Sequence, residues 1–287
     1  MMMSIPDATG RCLYTLSTLT VLCAFASLPA AAASFTFITG NPDGKIATLS
    51  RQASGTTIQT ETADDFILGQ STLLTSATFT GLLPSGSPVS NISQVEIEFY
   101  HVFPADSANP PSGNAFTRAN SPADVEIASA TRDSIAGTLR FTGTVLNPSF
   151  TVANTVVNGI NNVPNQFTAG EGPTTGEEVQ IGVNFNAPVF LPGDHYFFRP
   201  EVLLNNGYFL YLSAPKSSAA TDLQSWIRND NLAPDWLRIG TDITHQGPFN
   251  AAFSLSGNTV PEPGSLALLG IGIGGMIFGF RRLCKKY

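Results

Sequence analysis

The sequence predicts an all-β protein: an antiparallel β-sandwich, with a jelly roll among the topologies such a pattern allows, flanked by an N-terminal signal peptide and a C-terminal transmembrane helix. Three observations predict it. The middle of the chain alternates apolar and polar residues in short runs, the period of a strand with one face buried. Gly, Pro, Asn and Ser break those runs, and helical periodicity is almost absent, as expected of short strands joined by turns. Both ends carry uncharged apolar stretches of the kind that direct export or anchoring,.

At the N-terminus, Arg11 precedes an apolar stretch from Leu13 to Leu28, followed by Pro29 and the run Ala30 to Ala33. Small residues at Ala31 and Ala33 satisfy the A-x-A rule, which places signal-peptide cleavage between Ala33 and Ser34. The predicted organisation is therefore a signal peptide over 1–33 and an exported β domain over 34–257. A linker over 258–264, an apolar segment over 265–280 and a basic tail over 281–287 complete it.

Within the domain, Val95-Glu96-Ile97-Glu98-Phe99 is the clearest strand, apolar on one parity and carboxylate on the other,. Leu139, Phe141, Gly143 and Val145 alternate with polar partners, as do Val179, Ile181, Val183 and Phe185. Phe249, Ala251, Phe253 and Leu255 form the last strand before the linker. Further strands are expected at 35–38, 66–68, 74–79, 125–128, 195–198, 202–204 and 207–212. Residues 104–122 and 147–176 read largely as long loops.

Composition narrows the function classes. Residues 34–260 hold nine Lys or Arg against 19 Asp or Glu, a formal charge of −10. An acidic domain without a basic stripe is a poor candidate for nucleic acid, and none is expected as a partner, because phosphate neutralisation dominates that affinity. The three cysteines, Cys12, Cys23 and Cys284, all lie outside the domain. No disulfide, Cys-ligated zinc or thiol nucleophile serves it, so its stability is expected to come from core burial, with bound ions as a further source.

Few residues point to chemistry. His101, His195 and His245 are scattered and lack metal-ligand spacing,. No G-x-S-x-G elbow is present. Carboxylates pair at Asp64-Asp65, Glu96/Glu98 and Glu177-Glu178, and Glu96 with Glu98 reads as a solvated strand face. The stretch from Asp222 to Asp242 is the most site-like. It holds Asn229-Asp230-Asn231, Asp235 and a doubled Trp-x-Arg at Trp226/Arg228 and Trp236/Arg238. Its oxygens suit calcium, without EF-hand spacing, and exposed Trp would stack on sugar rings. Gly270, Gly272 and Gly275 match a dinucleotide fingerprint in letters, but no strand precedes them. No catalytic, cofactor-binding or metal residue is nominated.

The C-terminus is more specific. Val260-Pro261-Glu262-Pro263-Gly264 leads into sixteen uncharged residues, Ser265 to Phe280, and then Arg281-Arg282-Leu283-Cys284-Lys285-Lys286-Tyr287. The two prolines remove backbone donors and favour an extended segment open to a protease. The apolar run is slightly short for a span unless flanking residues share the interface. The basic tail sets its orientation, with the domain facing outward. Motif, apolar segment and Arg cluster together resemble the PEP-CTERM sorting signal. That resemblance implies an exosortase-type membrane peptidase as partner, cleavage near Pro261, Glu262 and Pro263, and a stop-transfer role for Arg281 and Arg282. It also implies a Gram-negative host that makes exopolysaccharide or biofilm matrix.

The expectation is a non-enzymatic cell-envelope or extracellular-matrix protein, exported through the Sec machinery and held briefly in the inner membrane by 265–280. It then reaches the cell surface or matrix, with exopolysaccharide as a further partner. The alternatives are a carbohydrate-binding or calcium-stabilised adhesion module and a polysaccharide hydrolase.

Overall fold

Fifteen strands appear among the described residues of the computed structural model, which are 32–103, 118–160, 167–216 and 224–260. In chain order they are β1 (Ser34–Ile38), β2 (Ile46–Leu49), β3 (Thr60–Ile67), β4 (Thr72–Pro84) and β5 (Ile92–His101). β6 (Arg132–Asp133), β7 (Leu139–Val152), β8 (Asn154–Val156), β9 (Thr174–Leu191) and β10 (His195–Leu204) follow. The last are β11 (Leu210–Ala214), β12 (Trp226–Asn229), β13 (Leu237–Arg238), β14 (Asn250–Ala251) and β15 (Phe253–Thr259). Helical structure among these residues is confined to short 3₁₀ turns and a π-turn at Ile239–Ile243.

The strands form two sheets. In the larger, β7 pairs β9 and β9 pairs β4, whose other side is shared by β15 and β11; β1 flanks β15, and β2 and β8 lie beyond β11. The smaller runs β13-β12-β3-β10-β5-β6. Pairing is antiparallel except between β2 and β8. The predicted all-β class with two sheets is what the described residues form.

Alternation explains the layering. Inward residues Leu74, Ala77 and Phe79 of β4, Val179, Ile181 and Val183 of β9, and Phe253 and Leu255 of β15 meet Val95, Ile97 and Phe99 of β5 and Phe198 and Val202 of β10 in one buried cluster. Aromatic rings tile it: Phe198 stacks on Phe253 at 5.0 Å, and Phe79 meets Phe209 edge-on at 5.8 Å. Each buried Phe contributes about 1.5–3 kcal/mol, which is how a cysteine-free domain holds together.

Several expectations need correction. Residues 125–128 form no strand; a 3₁₀ turn begins at Ala128. The predicted loop at 147–176 instead holds the end of β7 and all of β8. Within it the Glu171 carboxylate accepts the backbone N–H groups of Val157, Asn158 and Gly159 at 2.9, 2.7 and 2.5 Å. The strands expected at 195–198 and 202–204 are one strand, β10. β15 continues through Asn258 and Thr259, residues the sequence reading places in the linker, because both pair with β4.

The registers define two poles. Thr72, which opens β4, lies opposite Thr259 of β15 and Leu191 of β9. At the other pole, Pro84 closes β4 opposite Gly176, and Leu82 faces Leu210. Among the described residues no helix is long and apolar enough to cross a membrane; 265–280 lies outside them.

Candidate functional site

The outer face of the smaller sheet carries the densest group of ionisable side chains among the described residues. β10 contributes Arg199 and Glu201, which lie opposite Glu98 and Glu96 of β5. On the far side of β3, Arg228 of β12 lies opposite Glu61. Tyr100 completes the face. Strand alternation brings these residues to one surface, and covering segments then bury it. Gln59 Nε2 donates to both Glu201 oxygens at 3.0 and 3.1 Å, and Gln52 donates to Glu96. Trp236 lies 5.6 Å from the Tyr100 ring and 4.3 Å from the Arg228 guanidinium.

Arg199 and Glu201 are both 0 % exposed. The Arg199 guanidinium meets Glu201 at 2.5 Å, Glu61 at 3.4 Å and Glu96 at 3.9 Å, and also contacts Glu98. Arg228 pairs with Glu61 and donates to Tyr100 Oη at 3.1 Å. Tyr100 Oη lies 2.7 Å from Glu98 and 2.9 Å from Glu61. Four carboxylates thus face two guanidinium groups, an excess that burial makes costly unless protons are retained. Burial, with the neighbouring Glu98, pushes the Glu96 carboxyl up to about 8. Burial pushes Glu201 up to about 7 against the pull of Arg199. Glu98 is also buried, but Arg199 and hydrogen bonds from Glu96 and Tyr100 hold it below the usual carboxylate range. The reading of Glu96 and Glu98 as a solvated face is therefore wrong: the parity is right, but the outer face is covered.

The other carboxylate pairs separate. Asp64 points into the sandwich and accepts the Ala251 N–H at 2.7 Å; burial, then the Asp65 charge, raises its pKa well above the ordinary value. Asp65 points outward to His195 Nε2 at 2.6 Å and to the Gln224 N–H at 2.9 Å. Glu177 accepts the Gly86 N–H at 3.2 Å, and Glu178 is buried. His101 ends β5 exposed, its ring 5.3 Å from Tyr196, and His245 sits 3.8 Å from Phe167.

The described part of the stretch, 224–242, makes contacts within the fold. Trp226 and Trp236 are each 1 % exposed, so neither ring is open to a sugar, which corrects the stacking expectation. Asn229 Oδ1 accepts the N–H groups of Asn231 and Leu232, both at 3.1 Å. Asp230 accepts the Gln59 N–H at 3.0 Å, Asp235 meets Arg118 at 2.7 Å, and Asp242 takes the Arg238 side chain at 2.6 and 3.0 Å. The side-chain oxygens of Asn229, Asp230, Asp235 and Asp242 are thus engaged by the chain itself. Among the described residues no group of three or more His, Cys, Asp or Glu converges as a metal site. Asp222 lies outside the described residues.

Of the residues that the sequence assigns to processing, Ala33, Ser34 and Val260 are described, and they lie at one pole. Ser34 pairs with Asn258. Ala33 donates its N–H to Thr259 Oγ1 at 3.0 Å and accepts the Thr259 N–H at 2.8 Å, and the Val260 N–H bonds Ser71 O at 2.7 Å. Ala31, Pro261, Glu262, Pro263, Arg281 and Arg282 lie outside the described residues.

Residues 259–282 match the PEP-CTERM protein-sorting motif. The match falls in the C-terminal tail that the sequence singled out and starts on the last residue of β15. It implies an exported protein directed to exosortase-type processing. No curated protein matches the chain, so the PEP-CTERM match stands without a relative for the β domain.

Proposed function

We propose that the chain is a Sec-exported cell-envelope or extracellular-matrix protein whose β domain is structural or adhesive rather than catalytic. The observation that carries this reading is the PEP-CTERM motif at 259–282, continuous with the strand that closes the domain. The apolar run 265–280 holds the chain in the inner membrane with the domain outward until the exosortase acts near Pro261–Pro263. The non-catalytic part draws support from the ionisable groups. The carboxylates of the buried cluster face Arg199 and Arg228, and Asp65 faces His195. A hydrolase needs carboxylates aimed at substrate instead.

Intact mass of the protein from medium and membranes, in cells with and without a working exosortase, tests the reading. The expected mature form starts near Ser34, ends near Pro261–Pro263 and disappears without the exosortase. A full-length C-terminus in both strains would overturn the processing assignment.

A further inference from the structure

The pole opposite Ser34 and Thr259 carries a groove that none of the contacts described above fills. After Pro84, residues 85–91 turn through a 3₁₀ segment into β5. Beside them, Asn205-Asn206-Gly207-Tyr208 joins β10 to β11. The two connections wall a cleft of about 520 Å³, lined among others by Ser85, Ser87, Ser90, Asn205 and Asn206. A second hollow of about 360 Å³ shares Pro84, Ser85 and Gly207 with it and adds Thr174, Thr175 and Tyr208. These volumes lie within the range of small-ligand sites.

The groove is preformed. Asn91 binds its two walls together: its Nδ2 donates to Ser87 Oγ and to Asn206 O, both at 2.8 Å, and its Oδ1 accepts the Asn206 N–H at 3.0 Å. Gly207 turns with φ +83, and a Cβ there would lie 2.7 Å from Pro84 Cγ, so only glycine lets the connections approach this closely.

Its chemistry is selective. No lining residue of either hollow is charged, in a domain whose formal charge is −10. Ser90, Asn205, Asn206 and Tyr208 are exposed, and 42 % of the Tyr208 surface is open to solvent. No hydrogen bond to another described residue occupies the side chains of Ser90, Asn205 or Asn206 or the Tyr208 hydroxyl. Primary amides both donate and accept, as hydroxyls do, and an open aromatic face takes an apolar ring face while its polar edge stays wet. Hydroxyl-rich rings with one apolar face and no charge meet all of these demands.

We propose that this groove binds a neutral oligosaccharide, with Tyr208 as the stacking platform and Asn205, Asn206 and Ser90 as its hydrogen-bonding rim. The assignment gives the adhesive role above a site and a ligand class, and rests on that role for its setting. It also places sugar contact at the pole away from the sorting motif's origin at Thr259.

Calorimetric titration of the full-length protein in detergent, against neutral hexasaccharides of glucose and mannose and against hexagalacturonate, tests it. At least one neutral hexasaccharide should bind and hexagalacturonate should not. Tyr208→Ala should weaken binding about tenfold or more, Tyr208→Phe should largely retain it, and Asn205→Ala with Asn206→Ala should weaken it severalfold. All variants should melt as the wild type, because these side chains are exposed. Absence of neutral-sugar binding, preference for the acidic probe, or unchanged binding by Tyr208→Ala overturns the proposal. Failure of the sorting reading shows separately, in the terminal masses.

Discussion

A guanidinium with no exposed surface needs its charge met within hydrogen-bonding reach. Arg199 meets Glu201 at 2.5 Å and Glu98 across the strand pair. With Arg228 it offsets two of the four carboxylates, and retained protons answer for the others. Glu96 and Glu201 rise from 4.5 to about 8 and about 7 because burial penalises their charged forms. The folded protein therefore binds protons that the unfolded chain releases, so stability falls as pH rises from 4.5 through these values,. Glu98, held low, acts oppositely and loses its contribution as pH falls below its unfolded value,. The melting temperature is expected to peak near pH 5 and decline toward pH 8. Each fully buried proton accounts for at most about 1.4 kcal/mol per pH unit, and partly exposed Glu96 for less. Calorimetry across this range checks it. Glu201→Gln should flatten the decline below pH 7, and Glu96→Gln up to pH 8; a profile unchanged in both variants removes the protonated-cluster account.

Strands carry these residues, and one glycine sets how the last of them ends. Gly257 follows the register shift after Ser256, where a Cβ would lie 2.1 Å from Leu73 O and 2.8 Å from Leu74 Cα. Both obstacles are backbone, so the strand itself must move. Gly257→Ala should cost about 1–3 kcal/mol and loosen Thr259 from Ala33. Limited proteolysis at 258–260 should accelerate, whereas Ser256→Ala should cleave at the wild-type rate. Equal rates for both variants would count against a bulge that secures the domain's end. Such elements were legible only in part. β5, β9 and β15 could be read because their alternation divides a core face from a polar one. β2 is buried along its whole length as Ile-Ala-Thr-Leu, so no alternation marks it. β3 reads as polar because Glu61 and Asp65 find Arg228 and His195, 167 and 130 residues away. That distance is also why the outer face could be placed by parity yet not recognised as buried. Trp226 and Trp236 misled for the same reason, since only the packed chain shows which face covers them. The sorting tail could be read outright, because its signal is linear order rather than packing.

Taken as a whole molecule, the domain closes over its own beginning. β1 starts at Ser34, the expected first residue of the exported form, and pairs along its length with β15, whose end opens the sorting motif. Both main-chain groups of Ala33 are bonded to Thr259, so a peptidase that reads an extended strand finds that position already paired. A cleavage after Ala33, as the A-x-A pattern predicts, would have to precede the closing of β1 on β15. Once in place, β1 is the edge of the larger sheet and shields it. Phe37 lies 5.6 Å from Phe253 and 6.0 Å from Phe66, and its removal bares both rings together with the backbone row of β15. An uncovered edge of that kind pairs with other chains. Deleting 34–38 from the exported form should lower its melting temperature and produce concentration-dependent oligomers in light scattering after size exclusion. If the shortened protein stays monomeric and melts as the intact one does, β1 is a passenger on the sheet and the domain's closure lies elsewhere. If it associates, residues 34–38 keep the sheet edge from pairing with its neighbours.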